Sequence, residues 1–137
     1  MSEHVLDIDI VTPQKVIFSG QCIAVSLPGA KSPFQVLYNH APIVSALQVG
    51  PIKIINTDNS ETYYATEGGF AEVLNNRVSI VVETADESSE INIDAVEQEI
   101  GSLKLQLQGT SDIHQREALK NSIAIQENRF RVARKQS

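Results

Sequence analysis

The sequence predicts a mainly β protein with a helical end. We expect an N-terminal antiparallel β-sandwich of about ten strands in residues 1–86, a linker over 87–93, and a C-terminal antiparallel two-helix hairpin in residues 94–137. Two observations favour this division. Short runs of β-branched and aromatic residues alternate with turn residues at close spacing through the first part of the chain. After the polar stretch 86–90, apolar residues recur at the three- and four-residue spacing of a helix.

The first strand shows the β pattern most clearly. Leu6, Ile8 and Ile10 alternate with Asp7 and Asp9, so one face should be buried and the other hydrated. The two carboxylates are better explained as this wet face than as a general acid and base. Further strands are predicted over 16–18, 22–27, 34–38, 43–47, 52–55, 62–66, 70–74 and 78–84.

Turns are predicted where glycine, proline, asparagine and aspartate cluster between these runs. The predicted turns are Ser19-Gly20, Pro28-Gly29, 39–42, Gly50-Pro51, 56–59 and Asn75-Asn76. Gly68-Gly69 should supply positive φ angles in a tight hairpin between the strands that flank it.

The helical part carries two apolar stripes. The first consists of Val96, Ile100, Leu103 and Leu107, and the second of Leu119, Ile123, Phe130 and Ala133. Asp94 is predicted to cap the first helix in a capping box with Glu97, and Asp112 to cap the second. The loop between them is short, so the helices should pack antiparallel. A hairpin held by so few apolar contacts should be only marginally stable on its own. We therefore expect it to dock on the sandwich or on a partner.

Composition narrows the classes of function. The chain has 137 residues, is 42% hydrophobic and carries a net charge of −6, which argues against binding nucleic acid through a general positive field. The charge is uneven, because residues 113–137 hold six Lys and Arg against two acidic residues.

Cys22 has no second cysteine for an intramolecular disulfide and should be a buried free thiol. No apolar run reaches the ~18 residues of a membrane-spanning helix, and the first residues do not resemble a leader, so we expect a cytosolic or membrane-peripheral protein.

Motifs for catalysis and cofactor binding are missing. His4, His40 and His114 fall in different predicted elements, and none has a second ligand at metal-binding spacing. The sequence has no phosphate-binding loop, dinucleotide fingerprint or nucleophile elbow. We therefore expect no cofactor and no enzymatic site. On these residues alone, the chain would be an interaction module, and a free-standing β-sandwich adaptor with a helical tail is the alternative that stays open.

Two segments carry a resemblance to a known family. The turn Asn39-His40-Ala41-Pro42 and the segment 67–73 resemble the epsilon subunit of bacterial F-type ATP synthases. Leu6-Asp7-Ile8, Phe18-Ser19-Gly20, Tyr63-Tyr64-Ala65, 83–85 and Ile93-Asp94 match the same family in order and spacing. The mitochondrial counterpart is a rival within the family; it would carry a transit segment, which is absent here, although a mature import product stays open.

The resemblance implies a non-catalytic rotor subunit of the proton-translocating enzyme, peripheral on the cytoplasmic face of the bacterial inner membrane. It implies contact with the gamma subunit through Thr12 and the segment from His40 to Ser45. It also implies contact with the c-ring through the loop 29–33, where Gly29, Lys31 and Ser32 are the candidate residues. For His40, a side chain that only fixes its own turn is the alternative.

The resemblance also implies regulation by the hairpin. In the family, the two helices lie folded on the sandwich or extend along gamma toward the alpha and beta subunits and inhibit ATP hydrolysis. Candidate contacts for the extended form are Lys120, Arg129, Arg131 and Arg134. A basic helix face that is merely hydrated is the alternative.

One departure concerns nucleotide binding. Some members bind ATP through an I/L-D-x-x-R-A motif, and this chain keeps only Ile93 and Asp94 of it. Glu97 stands where the motif has arginine, and its charge would repel a phosphate. The degenerate motif therefore predicts no ATP sensing.

Overall fold

The computed structural model describes residues 4–135 of the chain. These residues form nine strands, one short 3-10 helix and two α-helices. The strands are β1 (Leu6–Val11), β2 (Val16–Leu27), β3 (Phe34–Val36), β4 (Ile43–Leu47), β5 (Gly50–Asn56), β6 (Glu61–Thr66), β7 (Gly69–Leu74), β8 (Arg77–Val82) and β9 (Ala85–Glu87). The 3-10 helix covers Ser88–Glu90, and the α-helices are α1 (Ile93–Gln108) and α2 (Ile113–Ala133). The predicted β-sandwich with a C-terminal helical hairpin is confirmed.

Strand β2 joins the two layers of the sandwich. The strands follow the order β4-β7-β8-β1-β2-β5-β6-β9, with β3 also on β2. All pairings are antiparallel except that of β1 with β8. The first half of β2 pairs with β1 and its second half with β5, and its register shifts between Cys22 and Ala24. A strand that passes from one sheet to the other at such an irregularity closes the layers around a common core.

The core lies between these layers and is aliphatic. Leu6, Ile8 and Ile10 of β1 are fully buried, as the alternation in the sequence predicts, and they share one cluster with Ile52 and Ile54 of β5. Full burial of each such side chain stabilises the fold by roughly 1.5–3 kcal/mol. Cys22 belongs to the same cluster as a free buried thiol, which confirms the prediction. Its burial raises the pKa of the thiol to about 11.

Two predicted turns lie inside strands instead. Ser19-Gly20 was expected to separate two strands, but Ser19 pairs with Asp9 and Gly20 with Ile8, so β2 runs on without a break. The ladder to β1, and the 2.7 Å hydrogen bond that the Ser19 hydroxyl donates to Asp9, outweigh the local turn preference. Gly50-Pro51 likewise begins β5. Strand β3 ends at Val36, before Tyr38.

Asparagine and glycine set the backbone at the confirmed turns. Asn75 and Asn76 have φ angles of 50° and 63° and close the hairpin from β7 to β8. Gly68 and Gly69 have the expected positive φ angles, 122° and 156°. The prediction of a hairpin at this pair is wrong, because β6 and β7 do not pair with each other. Strand β6 pairs with β5 and β9, and β7 pairs with β4 and β8. The two glycines carry the chain from one layer to the other.

Helix α1 begins earlier than predicted. Its cap is Asn92, whose side chain accepts a 3.0 Å hydrogen bond from the Ala95 amide. Asp94 lies inside the first turn, so the predicted capping box with Glu97 is wrong. Asp112 caps α2 as predicted, by accepting from the Gln115 amide at 3.0 Å.

The predicted linker overlaps regular structure. Residues Ala85–Glu87 pair with β6 as strand β9, and the 3-10 helix follows directly. The ladder to β6 satisfies the backbone groups of this polar stretch, which has too few apolar residues to show a strand pattern. The division of the chain at 87 and 94 stays a prediction.

The two glycines at 69 and 101 offer a matched stability test. A Cβ at Gly69 would lie 2.1 Å from the Val81 carbonyl oxygen, whereas a Cβ at Gly101 in α1 would meet nothing within 4 Å. We expect Gly69→Ala to lower the free energy of unfolding by roughly 3 kcal/mol, and Gly101→Ala to raise it by about 1 kcal/mol. Urea unfolding of both variants measures this. If Gly69→Ala left the free energy of unfolding unchanged, the backbone at Gly69 would not require glycine, which would contradict this prediction.

Candidate interaction surfaces

The outer face of the first layer, formed by β4, β7, β8 and β1, displays apolar side chains. Val44 is 71% exposed, Phe70 62% and Val81 53%. Phe70 pairs with Ala46 on one side and with Val81 on the other, and Val81 pairs with Val11. An apolar row of Ala46, Phe70, Val81 and Val11 therefore crosses four strands, and only Val11 in it is half-buried. Contiguous apolar surface of this kind marks an interaction site more often than single exposed residues do.

The strand pattern explains why these side chains point outward. In β7, Ala71 and Val73 enter the core, so Phe70 must lie on the opposite face. In β8, Ile80 and Val82 are buried, and Val81 faces outward for the same reason. Both strands thus carry a large apolar residue on the outer side, which this chain leaves uncovered. Sequence reasoning did not single out Phe70 and Val81. The signal that could have found them is that each alternates with core residues of its own strand and must therefore face outward.

Polar groups border the apolar row on β1. Asp9 receives the Ser19 hydroxyl and also forms an ion pair with Arg77 of β8. Asp7 lies near Gln21, with 3.5 Å between the Gln21 amide nitrogen and the carboxylate. Such exposed pairs stabilise a fold by at most about 1 kcal/mol. The arrangement, an apolar centre with a polar rim, is typical of protein–protein interfaces.

The three predicted gamma contacts lie apart. Thr12 follows β1, and its hydroxyl and amide bond to Lys15. Ser45 is half-buried on β4, and its hydroxyl donates to the Ala46 carbonyl at 3.0 Å. His40 lies in the loop before β4, with Nδ1 2.7 Å from the Ala41 carbonyl oxygen. Each side chain therefore bonds within its own turn or strand, and the structure does not bring them together in one cluster.

The loop that carries His40 is fastened to the β7–β8 turn. The Asn39 amide donates to the Asn76 side chain at 2.6 Å, and the Asn76 side-chain amide donates back at 3.3 Å. Asn39 itself has a φ of 64°. These two reciprocal hydrogen bonds fix the position of the loop relative to the outer face.

The loop 28–33 is anchored at its base and exposed at its tip. The Ala30 amide donates to the Ala46 carbonyl at 2.8 Å, and Gln48 donates to the Pro28 carbonyl at 2.9 Å. Lys31 and Ser32 are exposed, whereas Gly29 is buried. A Cβ at Gly29 would lie 2.4 Å from the Ser32 carbonyl oxygen, so this glycine shapes the loop and offers no surface of its own.

The hairpin docks on the outer face of the second layer, which is formed by the second half of β2 with β3, β5, β6 and β9. A separate apolar cluster joins Ala65 and Ile91 of the sandwich side to Val96, Val132 and Ala133 of the helices, with Tyr63 and Phe130 at its margin. In β6, Tyr64 enters the sandwich core while Tyr63 and Ala65 face the helices. The hairpin thus covers the second layer and leaves the first uncovered. Ile123 and Ala133 of the predicted α2 stripe are buried, and Leu119 and Phe130 are half-buried.

A buried asparagine fixes the position of α2. Asn128 is 2% exposed, and its side-chain amide donates to the Gly50 carbonyl at 2.9 Å and to the Thr66 carbonyl at 3.4 Å. Because both partners are acceptors, the amide nitrogen must be the atom that faces them. Its Oδ1 is buried and has no partner within residues 4–135. Sequence reasoning missed Asn128, since the carbonyls that it binds lie 78 and 62 positions away in the chain.

The basic residues of α2 divide into two groups. Arg129 is half-buried and forms an ion pair with Asp86 of β9. Lys120, Arg131 and Arg134 are exposed, and the Arg134 guanidinium lies 5.6 Å from the centre of the Phe130 ring. In the docked hairpin, Arg129 is therefore paired with a residue of the sandwich, while the other three side chains face solvent.

The residues of the degenerate nucleotide motif lie in the first turns of α1. Ile93 packs against the apolar cluster of the hairpin and Asp94 is exposed. Glu97 borders a groove between the helices together with Glu127, Lys104 and Arg131. The groove is of mixed charge, and Lys104 already lies 3.8 Å from Glu127. Within residues 4–135, no group of three or more His, Cys, Asp and Glu is placed to hold a metal ion, and neither α-helix is long and apolar enough to cross a membrane.

Comparisons with known proteins agree on one family. Residues 5–88 match the family model described as the ATP synthase, delta/epsilon chain, beta-sandwich domain. The chain is 37% identical over 101 residues to the ATP synthase epsilon chain of Salinibacter ruber, which covers 67% of each protein. It is 35% identical over 116 residues to the ATP synthase epsilon chain of Anaeromyxobacter sp. strain K, which covers 82% of this chain and 87% of that one.

Solved structures share the fold. A chain in the cryo-EM structure of the Euglena gracilis mitochondrial ATP synthase superposes with a TM-score of 0.82 at 19% identity and covers 90% of this chain and 78% of that one. A chain in the central stalk and c-ring structure of the Tetrahymena thermophila mitochondrial ATP synthase gives a TM-score of 0.66 at 16% identity, over 93% and 96% of the two chains. The helices as well as the sandwich are therefore part of the shared architecture.

Asn128 can be tested against an exposed asparagine of the same helix. In Asn128→Ala the two carbonyls lose their donor, and we expect amide hydrogen exchange in α1 and α2 to accelerate by roughly tenfold or more. Amides of β1 and β8 should keep their rates, and Asn121→Ala should change neither set, because Asn121 is exposed. Equal exchange in both variants would show that Asn128 does not hold the hairpin.

The degenerate motif predicts the response to ATP. Since Glu97 places a negative charge where a phosphate would bind, we expect no ATP affinity that depends on Asp94. Calorimetric titration of the full chain with millimolar ATP, before and after Asp94→Ala, measures this. Binding that is present in the unaltered chain and lost in Asp94→Ala would contradict the prediction.

Proposed function

Because the chain belongs to the ATP synthase delta/epsilon family, we propose that it is a non-catalytic subunit of the central stalk of an F-type ATP synthase. In this role it turns with the c-ring and helps to carry the rotation through gamma to the catalytic subunits. It performs no bond chemistry and acts by binding and by changing the position of its hairpin.

The outer face of the first layer is the surface that we assign to gamma. The observation that carries this assignment is the exposed apolar row around Phe70, with a polar rim on β1. An aromatic side chain at the centre of such a patch is the type of residue that most often dominates an interface. Thr12 follows β1 and His40 precedes β4, so both lie beside this face and gamma would contact them at its margin. Ser45 pairs with the core residue Ala71, so its side chain is on the inner side of β4 and only its backbone would lie near gamma.

The loop 28–33 is the part that we assign to the c-ring. Its anchored base holds the exposed Lys31 and Ser32 in a defined position, which suits a contact that must transmit torque. The subunit would then be peripheral on the cytoplasmic face of the membrane that holds the ring. It would be retained there by its partners, with proton flow through the ring as the source of rotation.

The hairpin is the part that we assign to regulation. Lys120, Arg131 and Arg134 are accessible while it is docked, whereas Arg129 is held by Asp86. Full contact of the basic face with the alpha and beta subunits therefore requires that the hairpin leave the sandwich. Undocking breaks the Asn128 hydrogen bonds and the Arg129 ion pair together, so the inhibitory contact would be transient and conditional.

Truncation of Phe70 tests the gamma assignment. Loss of an aromatic side chain at an interface centre costs about 2 kcal/mol, so we expect Phe70→Ala to weaken binding to the cognate gamma subunit roughly thirtyfold. The stability of the free chain should change little, because Phe70 is mostly exposed. Surface plasmon resonance with immobilised gamma gives the affinity.

Ile55 supplies the control for this experiment. It is half-buried on β5, so it lies on the second layer, away from the outer face of the first. Ile55→Ala should bind gamma as tightly as the unaltered chain does. Unchanged affinity in Phe70→Ala, or an equal loss in both variants, would contradict the assignment of this face.

A further inference from the structure

A cleft lies where the end of α2 meets the second layer. Its volume is about 400 Å³, and its walls come from β2, the loop 28–33, β5, β6 and α2. Pro51, Tyr63 and Val132 are among the side chains that line it, with Pro28 and Pro33 on the loop side. The walls are mostly apolar, and the volume is in the range of sites for small molecules.

Three cations border this cleft. Arg131 lies in the last turn of α2 and Lys135 follows two residues after its end, and both side chains line the cleft. The ammonium groups of Lys53 and Lys135 lie 6.0 Å and 5.7 Å from the centre of the Tyr63 ring. Both therefore approach the same wall. This concentration of positive charge stands out in a chain whose net charge is −6.

The acidic groups nearby offset this charge only in part. Glu61 lies 3.4 Å from Lys53 and accepts the Tyr63 hydroxyl at 2.8 Å. Glu97 and Glu127 border the groove on the other side of Arg131, but within residues 4–135 no carboxylate lies within 4 Å of the Arg131 guanidinium or the Lys135 ammonium. Asn128, with its unpartnered Oδ1, lines the same cleft.

We propose that this cleft binds a small amphiphilic anion, meaning a carboxylate or phosphate ester that carries an apolar body. The anionic group would lie between Arg131 and Lys135, since each can form a charge-assisted hydrogen bond with it. The apolar body would lie against Tyr63, Pro51 and Val132. The inference is independent of the stalk role.

Binding at this cleft has a consequence for the hairpin. The walls come from both the sandwich and α2, so the cleft exists only while the hairpin is docked. A ligand that binds one of two states shifts the equilibrium toward that state. Occupancy would therefore favour the docked hairpin.

The fluorescent anion 8-anilinonaphthalene-1-sulfonate is a suitable probe, because it combines a sulfonate with an aromatic body. We expect saturable enhancement of its emission with the full chain, and an affinity that falls about tenfold or more in Arg131→Gln and in Lys135→Gln. Both residues are exposed, so the helical circular dichroism should stay unchanged. Lys15→Gln removes the same charge at the turn after β1 and should leave the affinity as it was.

Competition separates the amphiphile from a bare anion. Phenyl phosphate should displace the probe, and inorganic phosphate at the same concentration should not. The proposal is overturned if the probe does not bind, if Arg131→Gln and Lys135→Gln bind it as tightly as Lys15→Gln, or if inorganic phosphate competes as well as phenyl phosphate does.

Discussion

The sandwich depends on strand β2 serving both of its layers. Its first half completes the ladder to β1 and its second half the ladder to β5, with the register shift after Cys22 as the point of transfer. Since β2 belongs to both layers, the two layers face each other across one core. Each layer therefore has one face in the core and one outer face. The chain covers the second of these faces with its own helices, through Tyr63 and Ala65. It leaves the first uncovered, although Phe70 and Val81 make that face apolar. This asymmetry is the physical basis for assigning one face to a permanent partner and the other to a movable hairpin.

The attachment of the hairpin combines a small apolar cluster with specific polar bonds. Asn128 reaches two carbonyls at adjoining strand ends, and Arg129 reaches Asp86 on β9. Paired polar groups of this kind contribute modestly to net stability but are costly to leave unpaired, so they fix the position of a helix more than they strengthen its binding. The small size of the cluster is consistent with the proposal that the hairpin opens without unfolding of the sandwich. Arg129 is paired with Asp86 in the docked form, so under that proposal it would bind a partner only after undocking.

Local patterns in the sequence predicted the parts of the fold that local forces decide. The alternation from Leu6 to Ile10, the turn at Asn75-Asn76 and the cap at Asp112 all follow from neighbouring residues. The predictions failed where distant pairing decides. Ser19-Gly20 continues a strand because β1 lies beside it, and Gly68-Gly69 crosses between layers because β6 and β7 have other partners. Asn128 could not be found from the sequence, since its partners are far away in the chain. Thr12, His40 and Ser45 came from family resemblance. Thr12 and His40 lie beside the apolar face, whereas Ser45 pairs with Ala71 and is on the core side of β4.

A stalk subunit held by gamma should bind the catalytic subunits only when gamma is present. Gel filtration of the full chain with a cognate alpha, beta and gamma subcomplex measures this at sub-micromolar concentrations, with a parallel sample that lacks gamma. We expect co-elution with the complete subcomplex and none without gamma. Failure of the folded chain to co-elute with a folded subcomplex that contains gamma would contradict it, and would favour a free-standing adaptor instead.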